Sequence, residues 1–221
     1  KYYPQGHWSD RFSARRLADL FIADIEQGVD ANDYGAPIVE RTAHRAGVIK
    51  IASGLNQLDA QERKLFEAAA LAHVRTGCPI LTHAEEGTAG LEQAEFLKSH
   101  GVDLRHVCLS HLDRKPDVGY HREVLATGVR LEYDSAFRWK PEQPNHTLHL
   151  LLALLPEFPD QIMLGMDAAR NRYWRSFGGQ PGLTFLLDRL APALREKGLG
   201  DDLLHRVFVA TPASCYAFGA G

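Results

Sequence analysis

Four short apolar segments of the chain each carry a side chain that could bind a metal ion. They cover residues 46–51, 79–83, 107–111 and 161–167, and the side chains belong to Lys50, His83, His111 and Asp167. Imidazole nitrogens and carboxylate oxygens are ligands that zinc and similar divalent metals accept. Short apolar runs are typical of strands buried on both faces of a parallel sheet. Polar groups at the carboxyl ends of such strands are where α/β barrels carry their chemistry, so the pattern predicts a metal site.

Lys50 has chemistry of its own, because its neighbours Ile49 and Ile51 are apolar. Desolvation disfavours an ammonium ion, so the pKa of this lysine should be lowered. A neutral amine can add carbon dioxide to become a carbamate, an anion able to bridge two metals. The alternative is a lysine paired with a carboxylate inside the fold. Taken singly, each histidine could be a core residue and Asp167 a cap, but equivalent positions at strand ends favour the metal site.

Strands and helices alternate along the chain. Helical patterns cover residues 13–28, 59–76, 90–100, 116–127, 146–155, 181–197 and 201–210, and strand patterns cover 46–52, 79–83, 107–111, 129–134 and 161–167. This alternation demands parallel strands with right-handed crossovers. Since a closed barrel needs eight strand–helix units and typically ~250 residues, we expect a TIM (β/α)8 barrel lacking its first three strands. A doubly wound open sheet is the alternative, although no Gly-x-Gly-x-x-Gly turn follows any strand.

Composition limits the classes of function. With 221 residues and a net charge of -3, we expect a single domain over residues 1–221 that binds no nucleic acid. No apolar run approaches the ~18 residues of a membrane helix, and no signal peptide opens the chain. Cys78, Cys108 and Cys215 are predicted to be buried, reduced thiols, which fits a cytoplasmic protein. The start at Lys1 predicts that an N-terminal piece is absent.

The strand ends resemble the phosphotriesterase family of amidohydrolase barrels, and the similarity covers nearly the whole chain. Ala46-Gly-Val-Ile-Lys50 is similar to the family's fourth strand, which carries a carboxylated lysine. The pairs 82–83, 110–111 and 166–167 resemble the fifth, sixth and eighth strands, and Tyr2–Pro4, 18–28 and 90–93 resemble neighbouring segments. The family also places a His-x-His pair on its first strand, and this chain has none. That difference leaves open whether the first strands were cut off or are truly absent.

The resemblance implies a hydrolase with two divalent metal ions. Zinc is expected, with manganese or cobalt as alternatives, and carbon dioxide would carboxylate Lys50. In this scheme Lys50 bridges the metals, His83 and His111 bind the outer one, and Asp167 binds the inner one. Asp167 would also take a proton from a bridging hydroxide that attacks the substrate. The expected partner is a small-molecule substrate, and a homodimer is compatible with the sequence.

The loop after Asp167 resembles the branch of the family that hydrolyses phosphorylated furanose lactones. Its Asp-x-x-Arg-x-x-Tyr spacing, with a lysine after the seventh strand, implies that Arg170, Tyr173 and Lys140 hold a substrate phosphate. Guanidinium, ammonium and phenol groups suit a phosphate dianion, although a solvated basic loop is the alternative. If Arg170 and Tyr173 share a face, Arg172 and Arg175 point elsewhere, so these two arginines are left unassigned.

We therefore expect an enzyme that opens the ring of a sugar lactone, and the loop after Asp167 favours a phosphorylated lactone. The alternatives are a carboxylesterase or phosphotriesterase of the same family. A third alternative, from a different functional class, is a catalytically inactive barrel that binds a phosphorylated metabolite.

Overall fold

A computed structural model describes residues 7–138 and 143–219. Five parallel strands form one sheet in chain order: β1 (Ile49–Ser53), β2 (Ile80–Ala84), β3 (Val107–Ser110), β4 (Arg130–Tyr133) and β5 (Ile162–Leu164). Each strand pairs with the next one along the chain. Parallel neighbours cannot be joined by a tight turn, so a helix lies between each pair. The strand order is that of consecutive barrel strands, and the predicted parallel α/β architecture is confirmed.

Eight helices accompany the sheet in the described residues. They are α1 (Ala14–Glu26), α2 (Ala60–Thr76), α3 (Gly90–Ser99), α4 (Val118–Ala126), α5 (His146–Leu154), α6 (Ala191–Glu196), α7 (Asp201–His205) and α8 (Thr211–Tyr216). A π-helical turn, Leu186–Leu190, precedes α6, and another, Arg206–Ala210, joins α7 to α8. None of the helices in the described segments is long and apolar enough to cross a membrane.

The helix predicted over residues 181–197 starts later than expected. Helical structure begins only at the π-helical turn Leu186–Leu190, after a loop with short 3₁₀ turns at Asn171–Tyr173 and Arg175–Phe177. The loop folds tightly on itself, since a Cβ atom at Gly179 would lie 2.3 Å from the Arg172 carbonyl oxygen. A residue without a Cβ atom is therefore needed at position 179 for this close approach of the backbone.

Helix α2 shows how the sequence sets the ends of an element. Asp59 Oδ1 accepts a hydrogen bond from the Glu62 amide at 2.8 Å, and Glu62 Oε2 accepts one from the Asp59 amide at 2.9 Å. This is the predicted capping box, which satisfies two amides that the first turn leaves free. Gly77 ends the helix in the left-handed conformation, with φ of 69°.

Side chains alternate along each strand between an outward face, which packs against the helices, and an inward face on the other side of the sheet. Outward-facing residues such as Ile51, Leu109 and Tyr133 pack beneath the helices in the main core. On the other face, Cys108 and Met163 pack against Cys215 of α8. All three cysteines are buried and free of disulfides, as predicted. The expectation that every strand is buried on both faces is wrong for β1, because its inward side lines an open cavity.

Candidate active site

The carboxyl ends of the strands open into a cavity of about 1150 Å³. Its lining includes six predicted site residues: Lys50, His83, His111, Asp167, Arg170 and Tyr173. The seventh, Lys140, lies outside the described residues, as does the Tyr2–Pro4 segment of the resemblance. Side chains from strands that are up to about 120 residues apart in sequence thus face one space, as expected where parallel strands end together.

On the inward face of the sheet, Lys50 lies two residues further from the carboxyl ends of the strands than the level of His83. The sheet register pairs Lys50 with Leu81, whereas His83 pairs with Ala52 and Ser110. The prediction that Lys50 ends its strand is therefore wrong: β1 begins at Ile49, because the Ala46 amide bonds the Asp24 carbonyl oxygen of α1 instead of a neighbouring strand. The long lysine side chain can span this offset, since residues two apart on a strand share a face.

The two histidines lie side by side, with ring centroids 4.6 Å apart. His83 Nε2 bonds Glu85 Oε2 at 2.8 Å, and His111 Nδ1 lies 2.5 Å from Asp134 Oδ2. The opposite nitrogens, Nδ1 of His83 and Nε2 of His111, have no hydrogen-bond partner within the described part of the chain. Histidines that bind metals usually donate their second N–H to a carboxylate, so this arrangement prepares both rings as ligands.

Burial favours the neutral forms of two predicted ligands. Desolvation lowers the pKa of Lys50, opposed mainly by the charge of Glu132. The Lys50 side chain is exposed to the open cavity, yet the surrounding strands still exclude much of its hydration. Desolvation also lowers the pKa of His83, opposed by its hydrogen bond to Glu85. A neutral amine is the form that reacts with carbon dioxide, and a neutral imidazole is the form that binds a metal.

Asp167 sits at the edge of the same cavity, with its carboxylate turned toward arginines. Arg138 Nη2 donates to Asp167 Oδ2 at 2.7 Å, and Arg114 Nη2 lies 3.5 Å from the same oxygen. Asp167 has φ of 42° and His111 has φ of 72°, both in the left-handed region. Such backbone costs roughly 1–3 kcal/mol at non-glycine residues and concentrates at functional sites. Two of the predicted ligands thus occupy strained backbone positions.

The donor set suits one divalent metal. In the segments that the structure describes, no group of three or more histidine, cysteine, aspartate or glutamate side chains is placed to hold a metal. The side chains that converge are those of two histidines and a lysine. As a carbamate, Lys50 would add oxygen ligands to the nitrogens of His83 and His111, a mixture that zinc accepts. Asp167 would have to leave its arginine partners to join them.

Three acidic residues of the site were not assigned from the sequence. Glu85 and Asp134 orient the histidines, and Glu132 accepts a hydrogen bond from Ser110 Oγ at 2.9 Å. Desolvation, reinforced by the nearby charge of Asp134, raises the pKa of Glu132. Strand alternation could have placed Glu132 on the inward face. Glu85 lies two residues after His83, so its contact is local in sequence, whereas the contact of Asp134 with His111 joins residues of different strands and no local pattern indicates it.

Arginine side chains of the loop after β5 place positive charge near the Tyr173 phenol. The 3₁₀ turn Asn171–Tyr173 brings residues three apart onto one face, and both Arg170 and Tyr173 line the cavity. Arg172 does so as well, which corrects the expectation that it points elsewhere: its Nη2 donates to the Tyr173 hydroxyl at 3.0 Å. The hydrogen bond from Arg172, together with the charges of Arg138 and Arg170, lowers the pKa of Tyr173. Arg175 bonds the Pro181 carbonyl oxygen instead.

Comparison with known proteins gives consistent matches. The model of the phosphotriesterase family matches residues 2–216. A "phospho-furanose lactonase" of Mycoplasmopsis synoviae is 33% identical over 227 residues, covering 99% of this chain and 64% of the relative. An amidohydrolase from Mycoplasma synoviae has a crystal structure that superposes with a TM-score of 0.91 at 30% identity, covering 99% of this chain and 64% of that one.

A third similar protein was crystallised with an anion. The phosphotriesterase homology protein of Escherichia coli, complexed with phosphate in its active site, superposes with a TM-score of 0.86 at 29% identity. The match covers 98% of this chain and 71% of that one. This chain spans just under two thirds of the length of the first curated relative.

Proposed function

Because this chain belongs to the phosphotriesterase family, we propose that it is a metal-dependent hydrolase that opens a phosphorylated sugar lactone. The observation that carries the proposal is the joint position of two kinds of group around one cavity. His83 and His111 lie 4.6 Å apart near a desolvated Lys50, and Arg170 and Tyr173 line the same space. The name of the Mycoplasmopsis relative supports the lactone, and the phosphate in the Escherichia coli structure supports an anionic substrate.

We assign the metal-binding residues as follows. Carboxylated Lys50, His83 Nδ1 and His111 Nε2 would hold one divalent metal, with zinc first among the candidates and manganese or cobalt as alternatives. Asp167 would contribute to a second metal. When bound, the metal would supply activated water and polarise the lactone carbonyl. Glu85 would keep His83 in the tautomer with its lone pair on Nδ1, and Asp134 would keep the lone pair of His111 on Nε2, because Asp134 Oδ2 lies 2.5 Å from His111 Nδ1 whereas the competing Arg114 Nη2 lies 3.2 Å from it.

Asp167 is the candidate proton carrier. We assign Oδ2 to take a proton from the attacking water and to return it to the alkoxide oxygen that leaves when the ring opens. In the structure Arg138 and Arg114 hold this oxygen at the cavity edge. Release from these arginines would let the carboxylate turn toward the histidines.

Arg170, Tyr173 and Lys140 are proposed to bind the substrate phosphate without taking part in the chemistry. A charge-assisted contact to an anion is worth on the order of 1.5–3 kcal/mol. Loss of one therefore weakens binding about tenfold to a hundredfold. Two of the three arginines on the loop, Arg170 and Arg172, make no ion pair with any residue that the structure describes, whereas Arg175 lies near Asp188. Their charge is therefore left for a ligand.

The test compares a phosphorylated furanose lactone with its unphosphorylated analogue. Arg170→Ala should lower kcat/KM on the phosphorylated lactone about tenfold to a hundredfold, with little change on the analogue. Equal losses on both substrates would show that Arg170 supports the loop and does not read phosphate. If the unmodified protein preferred neutral esters or phosphotriesters, the lactone assignment would fail while the metal assignment could stand.

A further inference from the structure

Arg172 lines two neighbouring cavities at the end of the site where the phosphate is proposed to bind. Besides the main cavity, it lines an adjoining cavity of about 480 Å³, together with Arg138, Tyr173 and Phe137. The guanidinium carbon of Arg172 lies 5.1 Å from the centroid of the Tyr173 ring, and Nη2 donates to the phenol oxygen at 3.0 Å. The Tyr173 ring in turn packs edge-on against Phe137, with centroids 5.0 Å apart. Arg172 is therefore held over the boundary between the two cavities.

The arginines around this boundary differ in how their charge is used. Arg138 and Arg114 face the Asp167 carboxylate, and Arg175 lies near Asp188. Arg170 and Arg172 have no carboxylate partner in the described segments. A guanidinium has five N–H donors, and the contact to Tyr173 uses one of those on Arg172. The remaining donors and the full charge are available to a ligand.

The hydrogen bond to Tyr173 also sets the direction of the phenol proton. Because Arg172 donates to the phenol oxygen, the O–H of Tyr173 is free to be donated to something else. A phosphate oxygen near Arg170 would then receive donors from Arg170, Tyr173 and Arg172. Three donors, two of them cationic, match the oxygens and double charge of a phosphate better than they match a carboxylate.

We propose that Arg172 is a specificity-determining residue that orients the Tyr173 phenol and contacts the outer oxygens of the substrate's phosphate. This inference rests on the proposed function and deepens it. It makes the anion-binding site a group of two guanidinium side chains and one phenol that line the same cavity. The substrate class is accordingly a lactone with a phosphate monoester, and lactones with a single carboxylate in that position should be poor substrates.

The experiment measures binding of inorganic phosphate and of acetate to the purified protein by titration calorimetry. Arg172→Met should weaken phosphate binding about tenfold to a hundredfold, and Arg172→Lys, which keeps the charge, should recover part of the loss. Acetate binding should change less in both variants. Arg189→Met is the matched control, because it removes one charge from an exposed position outside the site and should leave both affinities unchanged. Urea unfolding of each variant confirms that it is folded.

Two contrary outcomes can be told apart. If Arg172→Met binds phosphate as tightly as the unmodified protein while Arg170→Ala does not, the role of Arg172 is overturned and the proposed function stands. If the unmodified protein binds no phosphate and does not discriminate between phosphorylated and unphosphorylated lactones, both the role of Arg172 and the proposed function are overturned.

Discussion

The chemistry of Lys50 depends on the balance between solvation and nearby charge. The strands around it lower its pKa by desolvation, while the nearby carboxylates, of which Glu132 has the largest effect, raise it. A lowered pKa increases the fraction of neutral amine at any given pH below the usual value near 10.4. Since only the neutral amine adds carbon dioxide, carbamate formation should increase with both pH and bicarbonate. The residue can therefore become a metal ligand without any change in the backbone.

We predict that Lys50→Ala loses both metal and activity, because the carbamate oxygens that would hold the metal beside His83 and His111 are removed. Metal content by elemental analysis should fall from stoichiometric to background. A short-chain carboxylic acid added with bicarbonate should restore part of the activity by taking the empty place. Undiminished metal content in this variant would show that Lys50 serves only as an ion-pair partner inside the sheet.

His83 gives an independent test of the same site. Its ring is fixed by Glu85 through Nε2, so Nδ1 is the predicted ligand atom. Removal of a neighbour that only orients a ligand typically costs 10–100-fold in metal affinity, and removal of the ligand itself should cost more than about 100-fold. His83→Ala should therefore bind zinc far more weakly in a competition titration, whereas the exposed His205→Ala should not differ from the unmodified protein. Equal zinc affinity in both variants would contradict the assignment.

At the scale of elements, helix α3 holds the strand ends in place through one buried side chain. Gln93 accepts a hydrogen bond from Thr82 Oγ1 at 2.6 Å, and its Nε2 donates to Ser53 Oγ at 2.6 Å and to the His83 carbonyl oxygen at 3.2 Å. Gln93 thus joins α3 to β1 and β2 at the level of His83. A buried polar group left without a partner costs about 1–3 kcal/mol.

We predict that Gln93→Leu lowers the free energy of unfolding by about 2 kcal/mol, since the partners of Gln93 stay buried without it. In a chain of this size that corresponds to a fall in Tm of roughly 4–8 °C. Zinc affinity should fall as well, because the backbone of His83 loses a contact. Glu95→Ala, on the exposed side of the same helix, should leave Tm and zinc affinity within error. If the two variants behave alike, Gln93 does not brace the site.

Elements were easier to predict from sequence than contacts between them. The capping box of α2 and the order of the five strands follow from local patterns, and both occur in the structure. The start of β1 does not follow from local patterns. The Ala46 amide bonds the Asp24 carbonyl oxygen near the end of α1, and local sequence cannot show a contact between residues so far apart. The position of Arg172 was also missed: helical spacing fixes where a Cα lies, but a long side chain can fold back over its neighbour.

At the scale of the molecule, buried histidines link stability to pH. Desolvation lowers the pKa of His73, His83 and His121 below the usual 6.5. The folded protein therefore resists protonation that the unfolded chain accepts. The resulting stability is fully present above pH 6.5 and is lost as the pH falls toward the lowered pKa values.

We predict that the free energy of unfolding, measured with urea, is lower at pH 5.5 than at pH 7.5. His73→Gln should make this dependence shallower, because His73 is buried with both ring nitrogens near backbone groups, Nδ1 2.9 Å from the Cys78 oxygen. The same change at exposed His205 should leave the slope as it was. A stability independent of pH between these values would contradict the burial of neutral histidines.

The most direct test of the whole account is the metal dependence of lactone hydrolysis. The protein is treated with a chelator, dialysed, and assayed on a phosphorylated furanose lactone before and after zinc and bicarbonate are added. We predict no hydrolysis above the buffer rate without metal, and restored hydrolysis once zinc is bound through Lys50, His83 and His111. Full activity in the metal-free protein, or none on any lactone after zinc has bound stoichiometrically, would contradict the proposed metal-dependent lactonase.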